Sequence, residues 1–328
     1  MSAFYLGADL GATKTHVLVT TEEGEVVGFG QSGPGNHEVV GYEGFEKNLQ
    51  IATRQAFSSA GIEVEQLCGA GFGIAGYDWP LQYELISRVI GTLGIQAPIE
   101  LVNDAVPGIV ASASEGWGIA VVAGTGCNCW GWDSTHTRIG HVTGGGLTFG
   151  EGGGASEMVY KSIQQVAYEY TRRGPATRLS KMYMELTGTK NLEELLSGIM
   201  VGKITINASA APLIFQAAEQ GDGVAMGIID WAGSELGELA NAVIRQLDFQ
   251  TLSFDVVMLG STFNGGKRLV DPMRLKILST APGAHLVRLT QPPVIGSVLM
   301  GMQKNGKVIT QAIRQNLTAS FGKFIPTN

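Results

Sequence analysis

The sequence predicts a duplicated α/β fold in two domains, on three observations. At 328 residues the chain is about twice the length of a typical single domain. Each half opens with the same device, a strand, a turn bearing glycine and threonine, and a second strand: DLGATKT at 9–15 in one and AGTGCNC at 123–129 in the other. After each device the order of strands and helices repeats at low sequence similarity, which makes the repeat one of topology.

Taken in order, FYLGAD (4–9), THVLVTT (15–21) and EVVGFGQ (25–31) read as three successive strands, an antiparallel meander joined by the glycine turns DLGATK and EEGE. Phe45, Leu49, Ala52 and Ala56 then recur at helical spacing, and Gly61 closes that helix. LCGAGFG (67–73) is a strand, 81–92 a helix, PIELV (98–102) a strand, and a helix begins near Asp104; strands joined by helices imply parallel pairing. The later half offers strands at 118–124, 127–132 and 137–142, then helices, a strand at 255–260, a helix, a strand at 284–289 and a last helix from about 295. Residues 155–250 read as mostly helical, with Ile228, Ala232, Leu236, Leu239 and Val243 forming one apolar stripe. The domains expected are 1–115, completed by the C-terminal helix at about 296–328, and 116–295, which carries the helical insertion.

Composition narrows the function. The chain is 44% hydrophobic and 16% charged, unlike a disordered sequence, and no apolar run approaches a membrane helix. The start, MSAFYLGADL, lacks the pattern of a secretory signal, so a cytoplasmic protein is expected. A net charge of −7 without a basic cluster argues against nucleic acid or an anionic membrane as partner. Cys68, Cys127 and Cys129 form no Cys-x-x-Cys pair, so buried free thiols are expected rather than disulfides or a zinc site. The 47 glycines, about twice the usual share, specify tight turns and close backbone approach.

The chemistry-bearing residues cluster at turns. Glycine lets backbone amides approach a phosphate and threonine adds a hydroxyl, so two such hairpins facing each other can grip a polyphosphate. No Walker A pattern occurs; Gly-x-Gly-x-x-Gly occurs at Gly28 and Gly71, but roughly one match is expected by chance at this glycine frequency, and the second leads into Tyr77-Asp78-Trp79-Pro80 rather than directly into a helix. Asp104 follows the strand PIELV and opens a helix, at the carboxyl end of a parallel strand where α/β ligands gather; it suits a general base or an ordinary helix cap. Asn36 and His37 lie on a loop between meander and first helix, where they offer polar groups to a ligand. Cys127 and Cys129 share one strand face while Asn128 points the other way.

The motifs DLGATKT, GNH (35–37), NDA (103–105), AGTGCNC, GGGLTFGEGGGA (144–155) and LGSTFNGG (259–266), in this order, resemble the actin-, hexokinase- and Hsp70-like ATPases, in particular the BadF/BadG/BcrA/BcrD-type branch that includes N-acetylglucosamine kinase. The resemblance spans nearly the whole chain. It implies two ribonuclease H-like (actin/hexokinase-like) domains around a central cleft, with ATP and Mg²⁺ as cofactors and a sugar as acceptor. By resemblance, Gly11, Thr13, Gly124, Thr125 and Gly126 lie on ATP phosphates and Gly260 and Ser261 against adenosine; beside phosphates the Asp9 carboxylate is expected near Mg²⁺, and Lys14 either neutralises phosphate charge or points to solvent. Asp104 inherits the role of base; Asn36 and His37 from their loop, Asn128 from its strand face, and Gly145 and Glu151 from the glycine-rich stretch are expected at the sugar, and Asn103 is expected either to orient Asp104 or to touch the sugar. The glycine-rich stretch departs from the kinase pattern, with Gly145 for Trp, Leu147 for His, Glu151 for Asp and Gly152 for Glu; a roomier pocket is expected there, leaving open whether N-acetylglucosamine, glucosamine or a related hexose is the acceptor. The same branch contains ATPase activators of radical dehydratases, and a non-catalytic sugar sensor is a third reading. A homodimer is a further expectation.

Overall fold

In a computed structural model, described over residues 3–324, two five-stranded mixed sheets share one connectivity. Strands β1 (Phe4–Leu10), β2 (Thr15–Thr21), β3 (Val26–Ser32), β4 (Leu67–Ile74) and β5 (Ile99–Asn103) build the first, in the order β3-β2-β1-β4-β5. Strands β6 (Gly118–Ala123), β7 (Cys127–Trp132), β8 (Ile139–His141), β9 (Phe254–Leu259) and β10 (Ala284–Arg288) build the second, in the matching order β8-β7-β6-β9-β10. In each, an antiparallel meander continues into parallel strands. β8 is shorter than the 137–142 strand expected.

Period-two alternation decides which face each residue serves. Leu6, Ala8 and Leu10 pack outward against Phe45, Leu49 and Ala52 of helix α1 (His37–Ala60), while Tyr5 faces inward. In the second sheet Ile119, Val121, Ala123, Cys127 and Cys129 face the helical layer; Ala120, Trp130 and Trp132 face inward. That layer comprises α4 (Ala155–Tyr170), α5 (Arg178–Thr187), α6 (Leu192–Met200), α7 (Ala211–Glu219), α8 (Gly223–Leu247) and α9 (Lys267–Thr280), and all five residues of the expected α8 stripe are buried. α2 (Tyr83–Gly91) covers the first sheet beside α1.

Between the sheets lie α3 (Ala105–Ser112) and α10 (Pro293–Lys304), crossing so closely that a side chain on Gly296 would run into the Pro107 carbonyl. They exchange partners. α3 follows the first sheet yet packs on β6, β7 and β9, whereas α10 follows the second and packs on β1 and β4. The expected last helix is two, because Gly306 in the left-handed region (φ 78°) follows α10 before α11 (Gln311–Phe321). α11 is tied to the first sheet by Ser320 Oγ, which accepts the Val26 N–H at 2.9 Å, and to α3 by Arg314, which donates to the Val110 carbonyl at 2.7 Å. Residues 325–328 of the expected C-terminal helix lie outside the described residues. No described helix is long and apolar enough to cross a membrane.

Candidate active site

Both glycine-threonine turns stand at the same end of their sheets. In the first, the Gly11 N–H donates to the Lys14 carbonyl at 3.0 Å and the Gly35 N–H to the Gly11 carbonyl at 2.9 Å, leaving Thr13 and Lys14 exposed at the tip. In the second, the Gly124 N–H donates to the Gly126 carbonyl at 2.9 Å, and the first amides of α4, from Ala155 and Ser156, donate to the carbonyls of Gly124 and Thr125 at 2.9 and 2.8 Å. Thr125 and Gly126 are exposed. Among the described residues, no backbone bond engages the amides of Ala12, Thr13, Thr125 or Gly126, the condition for an anion-binding turn.

Gly260, at the end of β9, has φ 104° and approaches the second turn so closely that a β-carbon would collide with the Ala123 carbonyl; only glycine fits. The following Thr262 donates its hydroxyl to the Gly124 carbonyl at 3.1 Å, and Arg288 holds the turn through the Gly260 carbonyl and Asn264 Oδ1 at 3.1 and 2.8 Å. Beside it opens a cavity of about 700 Å³ whose lining includes Ser209, Phe215, Glu219, Ser261, Gly265 and Arg268. Gly260, Ser261 and the second turn are therefore brought together.

Asp9 and Asp104 end strands that are two places apart in one sheet, about 10 Å between backbones, with Gly73 of β4 between them. Asp104 is the N-cap of α3, but its side chain makes no capping bond. The ordinary helix-cap role thus falls to Asn103, whose Oδ1 accepts the Ala105 N–H at 2.9 Å. Burial, reinforced by Asp78, pushes the Asp104 carboxyl up to about 7. Asp9 also rises to about 7 through burial and the Asp104 charge, with Lys14 opposing. The Lys14 amine is thus felt at Asp9, although the residue is exposed.

A third carboxylate escaped the sequence reading. Asp78 follows β4 as Asp104 follows β5, and its Oδ1 accepts from Asn103 Nδ2 at 2.9 Å. Gln82 Oε1 accepts the N–H groups of Asp78 and Trp79 at 2.9 and 2.8 Å, while Gln82 Nε2 donates to His37 Nε2 at 3.3 Å. Burial, Glu38 and Glu151 push Asp78 up to about 6. The usable signal was position: an Asp just beyond the carboxyl end of a parallel strand, the argument that singled out Asp104. Glu157 was also missed; it is buried in the first turn of α4 beneath Gly126 and Gly154, with its pKa raised by burial.

Two expectations need correction. Asn36 and His37 are not free loop residues: Asn36 caps α1, its Oδ1 accepting the Glu38 N–H at 2.7 Å, and His37 is buried at the helix start, stacked on Tyr42 at 4.7 Å. Helix capping and a kink at Gly41 (φ 69°) draw the helix back to His37, ahead of the apolar stripe. The room expected at Gly145 is absent, because the Phe149 ring, carried round by a short 3₁₀ turn at Gly146–Phe149, fills the space a side chain there would need. Glu151 is buried nearby; its Oε1 accepts from the Thr143 N–H and hydroxyl at 2.9 and 2.6 Å, and Oε2 has no protein partner among the described residues. Asn128 is half-buried, abuts Gly144 and accepts the Cys129 N–H at 2.7 Å.

Asp9, with no side-chain hydrogen bond of its own among the described residues, fits a Mg²⁺ ion of the kind held by one carboxylate, phosphates and water. The thiols do not gather at this cleft: Cys68 is on β4, and Cys127 and Cys129 are buried on β7, where burial pushes Cys127 up to about 12 and Cys129 well above the ordinary thiol range.

Comparison with known proteins agrees with this geometry. The chain is 25% identical over 299 residues to the N-acetylmuramic acid/N-acetylglucosamine kinase of Clostridium acetobutylicum, covering 90% of this chain and 97% of that one. It superimposes with TM-score 0.66 at 19% identity on a Chromobacterium violaceum protein described provisionally as an N-acetylglucosamine kinase, covering 90% and 98% of the two chains. A ROK family glucokinase from Streptomyces griseus, solved with glucose and AMPPNP, gives TM-score 0.52 at 19% identity over 92% and 99%. The two sheets are thus the paired domains of the actin/hexokinase-like fold. The profile of the BadF/BadG/BcrA/BcrD ATPases matches residues 6–301, and the chain belongs to that family.

Proposed function

We propose that the chain is an ATP-dependent sugar kinase that transfers the γ-phosphoryl group to a hydroxyl of an amino sugar, N-acetylglucosamine or glucosamine, or of a related hexose. The observation that carries this reading is Asp104: a half-buried carboxylate at a strand end, free of capping duty and held near neutrality, in a cleft that also presents two phosphate-type turns. A group with that pKa takes a proton efficiently at neutral pH. The kinases named among its relatives support the same class.

In this mechanism Asp104 accepts the proton of the acceptor hydroxyl as that oxygen bonds to phosphorus and the bond to the leaving β-phosphate oxygen breaks. Gly11, Thr13, Gly124, Thr125 and Gly126 hold the phosphates through backbone amides and hydroxyls, and Lys14 offsets their charge. Ser261 lines the cavity that takes the adenosine, and Gly260 lets that turn approach the second phosphate turn. Bound with the nucleotide, Mg²⁺ supplies charge neutralisation at the phosphate oxygens, with Asp9 to hold it directly or through water. Asn103 orients the base; Asn36, His37, Asn128, Gly145 and Glu151 border the acceptor. Domain limits near 1–115 and 116–295, with α10 and α11 returning to the first sheet, a cytoplasmic setting and a homodimer belong to the same reading.

The reading is tested by incubating the chain with MgATP and a panel of amino sugars and hexoses. ADP formed in step with a phosphosugar, identified by mass, supports it; failure of every sugar to be phosphorylated overturns it.

A further inference from the structure

Glu157 stands at the third position of α4, beneath the second phosphate turn, and is 8% exposed. Its two carboxylate oxygens look in different directions. Oε2 lies so near Gly154 that a β-carbon there would collide with it, and that oxygen has no protein partner among the described residues. Oε1 is turned toward the cleft. A β-carbon built on Gly126 or on Gly146 would stand 3.9 or 3.5 Å from it, and beyond the chain neighbours no other described atom comes within 4 Å of either position. One carboxylate oxygen thus faces the open space between the phosphate turn and the glycine-rich stretch.

No cation of the protein neutralises this carboxylate: it joins none of the ion pairs among the described residues. Lys161, one turn further along α4 and at the spacing that would pair them, lies instead over the Trp231 ring at 5.1 Å. Burial raises the Glu157 pKa, opposed by the amides of Gly154 and of Glu157 itself, so its desolvation is only partly offset. Beside it the amides of Thr125 and Gly126 are free of backbone bonds and suited to phosphate oxygens. A bare triphosphate would meet conflicting forces here. The amides attract it, and the carboxylate, in a partly desolvated setting, repels it. A divalent cation removes the conflict, because Mg²⁺ accompanies phosphates with several bound waters whose hydrogens a carboxylate accepts. The unpartnered oxygens of Glu157 therefore gain a donor only when the nucleotide arrives with its metal. A purely structural role at the start of α4 would be indifferent to the metal.

We propose that Glu157 makes the second turn selective for metal-complexed nucleotide: its carboxylate disfavours a bare triphosphate on the Thr125 and Gly126 amides and accepts hydrogen bonds from metal-bound water when Mg²⁺ is present. Glu157 is thereby a specificity determinant for the phosphoryl donor. The proposal rests on the nucleotide-binding part of the kinase reading and is independent of the acceptor.

Calorimetric titration of the full chain with AMPPNP, once with Mg²⁺ and once with a chelator, tests it without requiring turnover. In the wild type Mg²⁺ is expected to tighten binding about a hundredfold. Glu157→Gln removes the charge at constant shape and should strengthen metal-free binding about tenfold while weakening the magnesium complex about three- to tenfold. Glu157→Asp keeps the charge with a shorter reach, so metal-free binding should stay as weak as in the wild type. Wild-type affinities that agree within about twofold with and without Mg²⁺ overturn the proposal. So does a Glu157→Gln variant whose two affinities fall together or keep their wild-type ratio. The expected pattern without phosphorylation of any sugar supports the role of Glu157 and rejects the kinase reading; sugar phosphorylation with an unchanged ratio in Glu157→Gln does the opposite. Binding of nucleotide under neither condition overturns both.

Discussion

For Asp104, the surroundings that suit it to the proposed role of base also make it costly to the fold. Asp104→Asn should lower kcat for the acceptor by about 10²–10⁴ with nucleotide affinity little changed, as steady-state kinetics and nucleotide titration would report. In the wild type, kcat/KM for the acceptor should fall about tenfold per unit below an apparent pKa of about 7, since only the ionised carboxylate accepts a proton. The stability effect runs the other way. A carboxyl raised from 3.8 to about 7 binds its proton more tightly when folded, so its ionisation erodes stability as pH rises through that interval. At pH 8 Asp104→Asn should therefore be more stable than wild type, on the order of a few kcal/mol, and thermal melts should show the gap closing toward pH 4. At this scale the sequence disclosed positions better than contacts. The strand PIELV before Asp104 identified it, and the alternation of Cys127, Asn128 and Cys129 was readable from period two. Asp78 and the filling of Gly145 by Phe149 were not, because both depend on how a loop folds back on itself.

Among the elements, the two turns proposed to hold the phosphates should respond separately. Thr125 is exposed and contributes little to packing, so Thr125→Val should leave the melting temperature of the free protein unchanged. It should weaken MgATP binding about ten- to a hundredfold, the loss of one hydrogen bond to a charged group, and shrink the nucleotide-induced rise in melting temperature accordingly. Gly260 is the converse case, a backbone position rather than a donor. Gly260→Ala must adopt φ near 104° against the Ala123 carbonyl and should destabilise the free protein by about 2–4 kcal/mol, measured by denaturant unfolding. Most elements were legible because their periodicity is strong: α8 from its stripe, the meanders from glycine turns between β-branched runs. Their ends were less so. The start of α1 is set by the Asn36 cap rather than by apolar spacing, and β8 shrinks to three residues because only Ile139–His141 pairs with β7.

For the molecule as a whole, duplication is the dominant fact, and it was readable because both halves keep the same device at the same point in their sheets. The return of the C-terminal helix to the first half was expected; what sequence did not reveal is the converse crossing, in which α3 leaves the first sheet and packs mainly on the second, a tertiary choice. Its consequence is functional. Asp104 lies where the chain passes from β5 of one sheet to α3 on the other, so relative motion of the halves moves the base against the phosphate turns. Nucleotide with acceptor should close the cleft, seen as a smaller radius of gyration by solution scattering than with either ligand alone. With Asp104 as the base for an acceptor hydroxyl, the transferred phosphoryl reaches a sugar rather than water. The most direct test is a single-turnover reaction with ATP labelled at the γ-phosphorus, with and without N-acetylglucosamine or glucosamine, in wild type and Asp104→Asn. Label is expected in a phosphosugar whenever the acceptor is present, and is lost in the variant; label found only in inorganic phosphate, whatever the sugar, would overturn the kinase reading.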